Sequence, residues 1–257
     1  MTEERPLPET AHDSASPVDF PYYNGRPVPI SGGRWWAVMA ACVAGFVFLV
    51  LPIPWGTAGR IVPAVVFFAL PLAALAYVVP GNWKAIFGRV RGREIRIMLG
   101  IGVLNVLVTF AIGLLVHAFF DVDPNPAVEG LRDTGAVERI VFFLCTVPQL
   151  FGEELVTVLP LLALLYAGTH RFGWSRRTAL VVAWVVTAVI FALLHLPTYD
   201  WNIVQCLLII GPARLILSTA YLWTKNIWVS TGAHIVNDWI LFGLALLVAG
   251  SGAAALA

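Results

Sequence analysis

The chain alternates long apolar stretches with short polar ones, and the apolar stretches have a common length. Seven of them run approximately over Trp35–Trp55, Arg60–Val79, Ile95–Phe120, Glu138–Ala167, Thr178–Leu196, Ile203–Trp223 and Ile227–Ala249. About 20 apolar residues in helical form cross a bilayer, so the pattern predicts an all-α, polytopic transmembrane helix bundle with seven spans. The fourth stretch is long and contains Pro148, and an interior proline kinks or breaks a helix. Splitting there would make eight spans. The predicted organisation is a tail over 1–34 and a helical membrane domain over 35–249.

Composition agrees with the pattern. The 257 residues are 59% hydrophobic and 12% charged, whereas soluble domains carry about 25% charged residues. Net charge is +1, and no basic cluster is interleaved with aromatics, so nucleic acid is not expected as a partner; the lipid bilayer is. Cys42, Cys145 and Cys206 lie apart inside apolar runs, which argues against a disulfide framework or a paired-cysteine metal site. The first 34 residues are rich in Pro, Ser, Asp and Glu and lack the order of a signal peptide. They read as a disordered tail.

Charge places the loops. Lys84, Arg89, Arg91, Arg93 and Arg96 crowd the loop after the second span, and short cytoplasmic loops retain Lys and Arg. Alternation then puts Arg171, Arg176, Arg177 and Lys225 inside as well, leaving the acidic 121–138 segment and Asp200 outside. An integral protein of the cell membrane with a cytoplasmic N-terminus is expected.

Against this background, polar residues within spans stand out, because an ionisable group at mid-bilayer costs about 2.5–3.5 kcal/mol on insertion scales and marks a functional site by default. Glu153 and Glu154 sit together in span four, His195 closes span five four residues after Phe191, His234 and Asp238 lie one turn apart on span seven, and Arg214 lies near the centre of span six. Adjacent helical residues point about 100° apart, so the two glutamates divide the work: one faces a cavity and the other anchors a neighbouring helix. His234 and Asp238 share a face, from which Asn237 is expected to turn away. His117 near a span end and His170 in a loop take ordinary structural roles.

A carboxylate and two histidines brought together from separate helices can deprotonate water, stabilise an oxyanion and return a proton to a leaving amine. The chain has no HExxH and no GxSxG, so soluble-protease templates do not fit. The residues resemble the CAAX-processing and bacteriocin-processing (CPBP) intramembrane proteases, the type II CAAX prenyl endopeptidase and Abi-like group, whose motifs are EExxxR, FxxxH and HxxxN or HxxxD. Here they read Glu153-Glu154, Phe191 to His195, and His234 to Asp238, within residues 138–245.

The resemblance implies a glutamic or metallo endopeptidase acting on peptides or membrane proteins, lipidated ones included. Glu153 would be the general base with His195 assisting, His234 and Asp238 would support the oxyanion, and Glu154 would be structural. Glu153, His195 and His234 would be the ligands if a zinc ion were used. The family's arginine is replaced by Val158. Arg214 is expected to supply the missing charge to Glu154 or, failing that, to Asp238. The rival reading is a catalytically degenerate scaffold or immunity protein, or a small transporter with a proton relay. One tension remains: by span counting, His195 lies near the outer end of its helix and His234 nearer the inner end of its own.

Overall fold

The computed structural model describes residues 19–131 and 134–250. Seven helices in it are long and apolar enough to cross a membrane: α1 Gly32–Leu49, α2 Ile61–Val78, α3 Gly92–His117, α4 Ala136–His170, α5 Arg176–Leu194, α6 Ile203–Thr224 and α7 Ile227–Gly250. No strand occurs among the described residues. In hydrocarbon every backbone N–H and C=O must be paired within its own segment, and helices do this. Val43, Val47, Leu107, Phe110 and Leu114 turn outward, as lipid-facing side chains do. The protein is an integral membrane protein.

Local signals set the boundaries. Ser175 caps α5 by accepting from the Thr178 amide at 3.1 Å, and Glu94 caps the start of α3 by accepting from the Arg91 amide at 3.1 Å. Helix α4 runs 35 residues through both Pro148 and Pro160 without dividing, so the eight-span alternative is not realised among the described residues. At about 1.5 Å per residue, α4 is longer than the ~30 Å hydrocarbon core, so it tilts or protrudes. Helix α6 is irregular: a π segment over Cys206–Ile210 precedes the regular turns from Gly211. Pro212 has no N–H to give to the preceding turn, which is where such a bulge relieves the ladder.

Close packing brings the site-bearing helices together. A Cβ at Gly102 on α3 would lie 2.8 Å from the Ala233 carbonyl on α7, and one at Gly152 on α4 would lie 2.5 Å from the Phe67 ring on α2. Only glycine permits these approaches, as small residues do generally at membrane helix contacts.

The two ends of the bundle differ. At one, residues 19–31 fold back on the helices with Phe20, Tyr22, Tyr23 and Ile30 buried. Tyr22 donates to the Asn82 carbonyl at 2.8 Å, His170 donates to the Tyr23 carbonyl at 2.6 Å, and Arg176 bonds both Asp19 and the Tyr23 hydroxyl. Of the expected tail over 1–34, residues 1–18 lie outside the described residues, and residues 19–31 are held against the helices by aromatic side chains. At the other end, Gln205 brackets Asp123 through the Asp123 amide at 2.7 Å and its carbonyl at 3.0 Å. Asn125 there donates to the Tyr199 hydroxyl at 3.2 Å.

Candidate active site

Glu153 and Glu154 leave α4 in different directions and meet different surroundings. Glu154 is fully buried. Its Oε1 accepts from Arg214 Nη2 at 2.6 Å and from His234 Nδ1 at 2.9 Å. Of the two partners considered for Arg214, Glu154 is the one it touches. The guanidinium also lies 4.4 Å from the centre of the Phe191 ring, a cation–π placement. The charge absent at Val158 is thus present from α6, and Val158 itself packs in the apolar core.

A carboxylate only accepts, so the 2.9 Å contact fixes the proton on His234 Nδ1 and turns Nε2 away from Glu154. Nε2 stands between two further carboxylates, 3.7 Å from Glu153 Oε2 and 3.6 Å from Asp238 Oδ1. These separations exceed direct hydrogen bonding and are of the kind a water bridges. Glu153 is held by Gln149 one turn earlier, whose Nε2 donates to Oε1 at 3.1 Å. His195 donates from Nδ1 to the Phe191 carbonyl at 2.9 Å, which leaves Nε2 as the acceptor of the neutral ring.

The two histidines line one cavity despite their different places along the helices. Glu153, His195, His234 and Asp238 line one cavity of about 220 Å³, with Gln149, Phe191, Tyr199 and Asn237. Phe191 spans the gap, its ring centre 4.6 Å from that of His195 and 6.2 Å from that of His234. Span counting misjudged depth because it assumed upright helices of equal length, whereas α4 is far longer than its neighbours and α6 is broken near the cavity. A second cavity of about 320 Å³, between α1, α2, α4 and α5, shares Gln149, Glu153, Phe191, His195 and Thr198.

Glu153, His195 and His234 do not gather as a zinc site. Among the described residues, no three His, Cys, Asp or Glu side chains are placed to hold a metal ion. His234 gives one ring nitrogen to Glu154 and His195 gives one to a backbone carbonyl, so each keeps a single nitrogen for other work.

Three contributors escaped the sequence. Gln149 is one helical turn from Glu153, a spacing that could have revealed it. Asn237, expected to turn away, is buried; it donates to Asp238 Oδ1 at 2.9 Å and accepts from Asn105 of α3 at 3.0 Å. This chain of amides orients Asp238. Tyr199 follows α5, and burial followed by the nearby Asp238 charge pushes its phenol up to about 12, so it keeps its proton at neutral pH. Of the histidines given ordinary roles, His170 serves the folded N-terminal segment.

Residues 136–240, which hold every one of these groups except Asn105, match the family model described as type II CAAX prenyl endopeptidase Rce1-like. The segment is an Rce1-like domain. This match agrees with the motif resemblance over the same stretch. The Rce1-like domain comprises α4 to most of α7, while α1 to α3 precede it and supply walls of the two cavities. A search of curated proteins and a search of solved structures each returned no match.

Proposed function

We propose that the protein is an intramembrane endopeptidase of the glutamic type, in which Glu153 activates water. The observation that carries this reading is the single cavity lined by Glu153, His195, His234 and Asp238. Water held between the Glu153 carboxylate and His195 Nε2 gives a proton to Glu153 as its oxygen attacks the scissile carbonyl. The C–N bond then breaks as that proton passes to the leaving nitrogen, yielding a carboxylic acid and an amine. Because His234 Nδ1 is committed to Glu154, Nε2 can donate to the oxyanion only from a protonated ring, and Glu153, Glu154 and Asp238 supply the counter-charge. Asp238, acceptor-only when ionised, acts through His234 in this scheme. Tyr199 offers a second hydroxyl donor to the same cavity.

Substrates are peptides or membrane proteins that reach the cavity, with or without an attached lipid, and the protein resides in the cell membrane with its N-terminus in the cytoplasm. The degenerate-scaffold reading rested on the missing arginine, and the Arg214–Glu154 contact removes its main support. The test is purified protein in proteoliposomes with membrane-anchored peptides. Cleavage that persists with a strong chelator and is lost in His195→Ala is expected. Proton flux without cleavage would favour the transporter, and chelator-sensitive cleavage would contradict the glutamic assignment.

A further inference from the structure

Both cavities that reach Glu153 and His195 open at the same end of the bundle. The larger is rimmed by Val50, Trp55, Arg60, Pro197 and Thr198, which follow α1, precede α2 and follow α5. The smaller reaches Asn125, Ala127, Thr198 and Tyr199. Below Glu154 toward the opposite end, α4 is sealed: Leu155, Leu159, Leu161, Leu162 and Leu165 have almost no exposed surface. The folded segment 19–31 closes that end further.

The ends also differ in charge. Residues 19–34, 79–96, 170–177 and 225–226, at the sealed end, contain eleven Lys and Arg against two Asp and Glu. The described residues of 50–60, 118–131, 134–139 and 195–203, at the open end, contain two against five. Positive charge in short loops stays in the cytoplasm, so the sealed end is cytoplasmic and the cavity mouths are not.

We propose that the protein takes its substrate from the extracytoplasmic side, and that the substrate class is a peptide segment exposed outside the membrane next to a membrane anchor, not a lipidated tail on the cytoplasmic face. This rests on the peptidase reading for the cleavage but not for the orientation. An extended segment entering past Thr198 would lie with one flank in the larger cavity beside Arg60. The other flank would lie in the smaller cavity among Asn125, Asn237 and Tyr199.

The test has two arms. On a background lacking Cys42, Cys145 and Cys206, Thr198→Cys should react with a membrane-impermeant maleimide in intact cells, and Arg91→Cys only after permeabilisation. The reverse pattern, or failure of Thr198→Cys to label from outside, overturns the proposal. In the second arm, one anchored peptide is displayed on either face of the membrane in cells making the wild-type protein. Cleavage of the outside version alone supports the proposal, and cleavage of the cytoplasmic version overturns it. If neither version is cut while Thr198→Cys labels from outside, the orientation holds and the peptidase reading fails.

Discussion

Glu153 and Glu154 are neighbours in sequence, yet they belong to different regions of the molecule. The region around Glu154 is closed, with the guanidinium and the imidazole both bonded to the carboxylate and the Phe191 ring against the guanidinium. The region around Glu153 is open, with one amide holding the carboxylate and two cavities meeting at it. The same side chain is tied down where an arginine and a histidine hold it and left accessible where a single amide does. His234 touches both regions, one nitrogen in each, and so couples the closed half to the open half.

The difference can be broken from either side. On the open side, His195→Asn should lower kcat by about 10²–10⁴, the range for a group engaged in proton transfer, with thermal stability close to the parent. A comparable loss of stability would make His195 structural. On the closed side, Arg214→Leu should cost about 3–5 kcal/mol, because it strands a buried carboxylate, read as a lower Tm in detergent. Adding Val158→Arg should restore little of it, since Val158 is enclosed by the apolar core.

Gln149→Leu tests how Glu153 is held. Losing one hydrogen bond to a charged group costs about 1.5–3 kcal/mol, expected mainly in kcat rather than Tm. The smallest effect belongs to an ion pair of similar chemistry but exposed setting, Asp19 with Arg176. Burial alone would raise the Asp19 carboxyl, but hydrogen bonds from Arg176 and Tyr23 outweigh it and hold it below its ordinary 3.8. A depressed folded value stabilises above 3.8 and is lost as pH falls through the folded value. The pair is half-exposed, so Asp19→Asn should change stability by about 0.2–1 kcal/mol. Proteolysis of the N-terminal segment should show it near neutral pH, with the difference fading in strong acid.

The spans were legible because a bilayer imposes length and apolarity on each segment independently of its neighbours. The candidate site residues were legible for a related reason: a charge in such a segment needs an explanation. What could not be read was partnership. That His234 gives Nδ1 to Glu154 and faces Glu153 and Asp238 with Nε2 depends on the crossing of α4, α6 and α7, which no single span encodes. Proline-rich composition concealed the anchoring of Phe20, Tyr22 and Tyr23, because burial there depends on a few aromatics and not on the average. Pro148 left α4 undivided, the helix running on through it, and Asn237 was misjudged because its partner Asn105 lies on α3.

The division of labour between the two glutamates is tested most directly by measuring cleavage of a membrane-anchored peptide and Tm together for Glu153→Gln, which keeps the shape and removes the base. The predicted result is a rate loss of about 10²–10⁴ with Tm unchanged. A variant that cuts at the parent rate, or that loses activity only because it unfolds, would contradict the assignment of Glu153 as the base.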